Sequence, residues 1–188
     1  MPTTKITRKQ IIHNAWALFH RHGYHDTSLQ MVATACDLGK AGVLHHFGSK
    51  RGLMEATLTY ALDWWERYVL VLLNTGAPYE TRLRTLFDRH FELASLNQSG
   101  CFFANTILET SGDDLFQDVL HGFHDRWMKA MTDFLAERFP PEEARERAYR
   151  LFADYEGSVI LYKLYKDPSH LRRFADRSVA SLNTPIQP

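Results

Sequence analysis

Residues 27–50 read TSLQMVATACDLGKAGVLHHFGSK. Leu29, Val32 and Ala33 recur at helical spacing, and Asp37-Leu38-Gly39 breaks the run. A second run of about eight residues, Lys40 to Phe47, is stopped by Gly48. Thr27-x-x-Gln30 has the form of a capping box for the first of these helices. Two short helices joined by a glycine-bearing turn make a helix-turn-helix the leading candidate. In such a motif the second helix enters the major groove while its neighbours hold phosphates. The pattern by itself is shared with ordinary helical bundles, whose short helices are also joined at glycines.

Helical periodicity continues on both sides. Upstream, Thr7-x-x-Gln10 forms a second capping box, and Ile11, Ala15, Leu18 and Phe19 give helix one an apolar face that ends before Gly23. Downstream, Ser49 caps a fourth helix from about Lys50 to Leu73, with Leu58, Leu62, Trp65, Val69 and Leu72 on one stripe. At 1.5 Å per residue this helix spans roughly 35 Å. Gly76-Ala77-Pro78 ends it, and Leu83, Leu86, Phe87, His90, Phe91 and Ala94 predict a fifth. A short sixth covers Cys101 to Glu109, and a seventh carries Phe116, Leu120, Phe123, Trp127, Met131 and Phe134 before Pro140-Pro141. Glu142 and Glu143 suit the first turn of an eighth, and Asp167-Pro168 suits the start of a ninth. The expectation is an all-α chain of about nine helices.

The 188 residues are 45% apolar and carry 22 basic against 22 acidic side chains, which excludes a disordered or fibrous chain. No apolar run has the length of a membrane span and the start lacks a signal-peptide core, so a cytoplasmic protein is expected. Cys36 and Cys101 are too few for a disulfide framework or zinc cage. The zero net charge conceals an asymmetry. Residues 1–60 hold seven bases and three acids, a net +4, and the remainder is −4. A basic end on an acidic body suits an N-terminal part that meets an anion.

Residues 7–62 resemble the N-terminal domain of the tetracycline-repressor (TetR) family of bacterial transcription regulators. The resemblance is carried by Ile11, Ala15, Leu18, Phe19 and Gly23-Tyr24, by Thr27 to Ala33, and by Gly42-Val43-Leu44-His45-His46-Phe47-Gly48-Ser49-Lys50 followed by Leu53. It implies a DNA-binding domain over residues 1–52, which includes the start of the fourth helix, and an effector-binding and dimerisation domain over 53–188. It further implies contact with a double-stranded DNA operator through Thr27, Ser28, Gln30, Lys40, Ala41, Gly42, His45, His46 and Lys50. Where the family usually has a tyrosine in the recognition helix, this chain has Leu44 and His45. Leucine offers no hydrogen bond, so the phosphate contact is expected at His45. With Gly39, Ala41 and Gly42 around Lys40, the helix presents few groups to base edges, leaving much of the specificity to Gln30, Lys40 and DNA shape.

In the C-terminal part, the density of rings suggests an apolar or aromatic effector. Its expected walls are Trp64, Trp65, Tyr68, Phe87, Phe91, Phe102, Phe103, Phe123, Trp127 and Tyr155, with His90, Asn105 and His121 as polar anchors. The eighth helix is apolar on two faces, which implies cover on both sides. The resemblance places Leu151, Phe152, Val159, Ile160, Tyr162, Leu164, Leu171 and Phe174 at a homodimer interface. A helical enzyme or binding protein without a DNA role is the rival class, and a TetR-like activator or a regulator answering to oxidation at Cys101 is a rival within the family. Gly-x-Ser-x-Gly, His-Glu-x-x-His and a phosphate-cradling glycine loop are absent from the sequence. His20, His22 and His25 straddle a helix end without a carboxylate or thiol at ligand spacing. No enzyme activity, cofactor, metal or membrane partner is expected.

Overall fold

The computed structural model describes residues 6–95 and 99–182, without the side chains of 93–95, so Ala94 lies outside the described side chains. Among the described residues there are nine α-helices and no strand. They are α1 (Arg8–Asp26), α2 (Leu29–Ala35), α3 (Lys40–Phe47), α4 (Lys50–Tyr68), α5 (Tyr79–Ser95), α6 (Phe102–Thr110), α7 (Gln117–Leu135), α8 (Pro141–Tyr165) and α9 (Ser169–Ser181). None of the described helices is long and apolar enough to cross a membrane.

The start of α1 follows the sequence. Thr7 Oγ1 accepts the Gln10 N–H at 3.2 Å, and Gln10 Oε1 accepts the Thr7 N–H at 2.8 Å. α1 breaks at Gly23, whose φ of +82° and ψ of 174° are open in practice only to glycine. The second capping box is shifted by one residue. Ser28, not Thr27, caps α2, its Oγ accepting the Met31 N–H at 3.1 Å, while the Ser28 N–H points to Met31 Sδ. Thr27 is fully buried and its hydroxyl donates to the Gly23 carbonyl at 2.7 Å. The break in α1 leaves carbonyls without helical partners, and Thr27 turns inward to serve them.

α4 ends at Tyr68, five residues before the expected Leu73, and a 3-10 turn over Leu70–Asn74 follows. The tighter turn buries Leu70 and Leu73 and leaves Leu72 only half-buried. Phe116 precedes α7 in a left-handed conformation, and its ring is buried. At α9, Asp167 caps from one residue earlier than the first turn, accepting from the N–H and the hydroxyl of Ser169 at 2.8 and 2.6 Å.

The chain forms two compact units. Unit one takes the described residues up to Trp64 together with Phe103–Leu120, and unit two takes Trp65–Phe102 and the described residues from His121 onward. Unit one is built on Ile11, Ala15, Phe19, Val32, Ala33, Val43, Leu53 and Met54, all essentially buried. In unit two α9 packs on both α5 and α8. Arg147 of α8, itself buried, donates to the Ser181 carbonyl at 2.8 Å and to Glu143, and lies 4.0 Å from the centre of the Phe139 ring. These bonds satisfy a guanidinium that would otherwise be expensive to bury.

Candidate nucleic-acid interface and buried polar cluster

In unit one, α2 packs on α1 and α3. The turn between α2 and α3 is closed by the Leu38 N–H on the Ala33 carbonyl at 2.8 Å, with Asp37 at a positive φ of 52°. α2 and α3 each bury only small apolar residues, Val32 and Ala33 in one and Val43 in the other. Leu29, Met31, Gly42, Leu44, His46 and Phe47 are half-buried, and Gln30, Thr34, Ala35, Lys40, Ala41 and His45 face solvent.

Of the residues expected to meet DNA, Ser28, Gln30, Lys40, Ala41 and His45 are exposed, and Gly42, His46 and Lys50 are half-buried. Thr27 is the correction: its hydroxyl is engaged inside the fold and presents nothing outward. Gln30 is likewise freed from the capping role that its spacing suggested, and its amide reaches only Thr34, at 3.5 Å, on its own helix. The His45 ring meets that of His46 edge-on at 5.5 Å, and His46 rests against Phe47 at 6.1 Å. Arg8, which the sequence did not single out, lies 4.7 Å over Phe47 and so brings a fixed cation beside the end of α3.

Lys50 is partly engaged within the protein. Its Nζ donates to the His25 carbonyl at 2.8 Å and stands 4.6 Å over the Tyr24 ring. Burial lowers its pKa, opposed by the nearby carboxylates of Glu109 and Asp26. Glu109 completes this arrangement. Its carboxylate accepts the backbone N–H groups of Tyr24 at 2.8 Å and His25 at 2.6 Å. Nothing in the sequence around Glu109 signals that role, because the partners are main-chain groups 84 and 85 residues away.

Unit two holds a ring cluster. Trp65, His90, Trp127 and Tyr155 come from α4, α5, α7 and α8. His90 stacks on Tyr155 at 4.3 Å, Trp65 on Trp127 at 6.1 Å and Trp127 on Tyr155 at 6.3 Å. Phe87, Phe91, Phe123, Phe152 and Phe174 surround these rings. Among the described residues, Trp65 Nε1, His90 Nδ1, Trp127 Nε1, Tyr155 Oη and Glu156 Oε1 are buried without a hydrogen-bond partner. Each such atom costs about 1–3 kcal/mol if left unpaired. Burial lowers the His90 pKa to about 3, so its ring is neutral at pH 7. Burial raises that of Glu156 to about 7, opposed by a hydrogen bond from Cys101. Cys101 itself is buried immediately ahead of α6.

Comparison with known proteins gives this geometry a family. Residues 11–57 match the family described as bacterial regulatory proteins, tetR family, and residues 86–177 match the C-terminal domain of LmrA/YxaF-like transcriptional regulators. The chain belongs to the tetR family. The tetR-family regulator is 28% identical over 168 residues to the HTH-type transcriptional regulator BetI of Paraburkholderia phymatum, covering 87% of this chain and 85% of that one. An HTH-type regulator of Mycobacterium tuberculosis is 23% identical over 170 residues, or 85% and 86% of the two chains. The fold matches a TetR regulator of Legionella pneumophila with a TM-score of 0.83 at 22% identity, over 95% of this chain and 99% of that one. A second, from Chloroflexus aurantiacus, matches with a TM-score of 0.81 at 23% identity over 94% of each chain. The protein is a helix-turn-helix, DNA-binding transcription regulator.

Other expected positions of the regulator fall as follows. Phe87, His90, Phe91, Phe123, Trp127, Tyr155 and Trp65 come together in unit two. Trp64 meets Trp16 within unit one, to which Phe103 and the half-buried Asn105 also belong, and Tyr68 is 51% exposed. Phe102 is buried in unit two. Leu151, Val159, Tyr162, Leu171 and Phe174 are buried inside the chain itself and Phe152 is half-buried. Ile160 and Leu164 stand out at 55% and 67% exposed, beside Leu161 and Tyr165.

Proposed function

We propose that this regulator is a homodimeric repressor that leaves its operator when a small apolar or aromatic molecule occupies the effector and dimerisation domain of residues 53–188, residues 1–52 being the DNA-binding domain. The observation that carries the effector is the ring cluster of unit two, an apolar core interrupted by buried polar atoms that no described residue satisfies. Effector sites are mostly apolar walls with a few convergent polar groups. The exposed apolar face of α8 supports association of two copies, since an apolar strip of that kind is usually covered. Ser28, Gln30, Lys40, Ala41, Gly42, His45, His46 and Lys50 are the proposed DNA contacts, and Arg8 is proposed beside them because its guanidinium lies over Phe47 at the end of α3.

Duplexes selected from a random pool by the purified protein test the reading. Two-fold related half-sites are expected, mirroring a two-fold dimer. A reporter placed behind the selected site should rise when the gene for the regulator is deleted. Asymmetric sites, or a reporter that falls on deletion, would overturn the dimeric repressor.

A further inference from the structure

Five glycines lie within residues 1–52, at positions 23, 39, 42, 48 and 52. Three of them are required by the fold. Gly23 and Gly48 hold positive φ values of 82° and 72°, and a Cβ at Gly52 would collide with the Phe47 carbonyl oxygen. Gly39 and Gly42 have no such reason. Gly39 takes an ordinary extended conformation, φ −78° and ψ 154°, and a Cβ there would meet nothing within 4 Å. Gly42 lies within α3, and a Cβ there would make ordinary contact with the Leu38 side chain at 3.6 Å. Both positions would suit the fold better with another residue. Gly39 caps α3 without a side-chain hydrogen bond, which Ser or Asn would supply, and glycine inside a helix is less favourable than alanine.

The two glycines fall at the start of α3, on either side of the exposed Lys40 and Ala41. Lys40 is the one long side chain of that turn. In a helix-turn-helix, the first residues of the second helix are those that meet base edges. A glycine that its own chain does not require allows a partner to approach the main chain closely. A turn clothed in hydrogens and one methyl group offers few hydrogen bonds. What such an apolar surface recognises on a base edge is the 5-methyl group of thymine.

Resting on the reading that α2 and α3 meet DNA, we propose that the recognition helix discriminates by shape at Gly39, Ala41 and Gly42. Its first turn seats the main chain close against the base edges of the major groove, with the Ala41 methyl packed on a thymine methyl. The bare turn lowers the stability of α3 and makes room for the duplex.

The test uses the full-length protein and a duplex that it selects from a random pool, with copies in which each thymine in turn is replaced by uracil, which lacks only the 5-methyl group. At least one replacement should weaken binding about fourfold, the fold-change that burial of one methyl group supports. Ala41→Gly should cost the thymine duplex the same factor and that uracil copy nothing, a coupling that a loosened helix would not produce. Gly39→Ser and Gly42→Ala should bind the selected duplex about tenfold less tightly. Neither should melt below the parent, and Gly42→Ala should melt about 2 °C higher. Uracil copies that all bind like the thymine duplex overturn the proposal, as do glycine variants that keep full affinity. Glycine variants that melt lower assign these glycines to the fold and overturn it too. If Gln30→Ala and Lys40→Ala weaken binding while the glycine variants and uracil copies do not, the α2–α3 interface stands and discrimination by shape fails. If none of these changes alters affinity, the interface lies elsewhere and both readings fail.

Discussion

The Glu109 carboxylate accepts the backbone N–H of Tyr24 at 2.8 Å, joining positions 85 residues apart within one compact unit. It takes the His25 N–H as well, and Lys50 takes the His25 carbonyl. The broken end of α1 would otherwise leave these main-chain groups without helical partners. One acid and one base thus fix the path by which the chain enters the helix-turn-helix.

Glu109→Ala should lower stability by about 1–3 kcal/mol, the range for charge-assisted bonds to buried or half-buried main chain. Amide hydrogen exchange at Tyr24 and His25 should quicken more than at Val32 or Val43. Glu109→Gln retains acceptor oxygen and should lose less. Unchanged exchange at Tyr24 would show that water replaces the carboxylate.

Gly23→Ala carries two penalties that can be separated. The backbone sits at φ +82°, and an added Cβ would lie 2.7 Å from Glu109 Oε2. The conformational part, on the order of 1–3 kcal/mol, belongs to residue 23 alone. The steric part should vanish in a Glu109→Ala background. A double-mutant cycle by urea denaturation should therefore give a coupling between the two positions, and simple additivity would count against the contact.

Thr27 and Gln30 should behave in opposite ways. Thr27→Val keeps the shape and removes a buried hydroxyl from the Gly23 carbonyl, and should lower stability by about 1–3 kcal/mol. Gln30→Ala should leave the melting temperature within about 1 °C, because Gln30 caps nothing, and should weaken cognate DNA by about 1–3 kcal/mol relative to scrambled duplex. A Gln30→Ala protein that melts early and binds both duplexes alike would remove Gln30 from the interface.

Two buried groups, His90 and Glu156, pull the pH dependence of stability in opposite directions. The unfolded chain protonates His90 near 6.5, whereas the native ring resists until about 3. This group's contribution is full above 6.5 and falls on acidification, at up to about 1.4 kcal/mol per pH unit. Native Glu156 keeps its proton to about 7, while the unfolded chain loses it near 4.5. Its contribution is full below 4.5 and falls as pH rises to 7. Between 4.5 and 6.5 the two slopes oppose each other. Glu156→Gln removes the second, so denaturation midpoints of that variant should climb more steeply with pH across this window than those of the parent. Parallel profiles would exclude Glu156 as a buried titrating acid.

Association should depend on the outer face of α8. Leu164→Lys is expected to yield monomers in sedimentation and to weaken operator binding with little change in monomer stability, since Leu164 is 67% exposed. Leu151→Ala opens a cavity in the core instead and should destabilise by about 2–5 kcal/mol. Dimers that persist in Leu164→Lys would move the interface elsewhere.

The helices were legible because their signals are local. Apolar spacing, glycine stops and the Thr7–Gln10 box each act within a few residues, and the helix-turn-helix at 29–47 appears where they place it. The capping of α2 was misplaced because Thr27 and Ser28 are both competent caps, and only the break at Gly23 decides which hydroxyl turns inward. Among the expected effector residues, seven meet in one core, whereas Trp64 and Asn105 belong to the other unit, a sorting that periodicity does not carry. Glu109, Arg8 and Glu156 escaped notice because their partners are a main chain, a ring and a thiol far along the sequence.

Unit one is composed of two separate stretches, and this bears on how regulators of this kind can be recombined. A chimera spliced at residue 64, where unit one first ends in sequence, would import a foreign segment in place of 103–120. Tyr24 would then lose both the Glu109 carboxylate and the edge of the Phe116 ring, 5.0 Å away. Transplanting this compact unit intact therefore requires carrying α6 and the loop after it along with the described residues up to Trp64, so that two grafts move together as a single module.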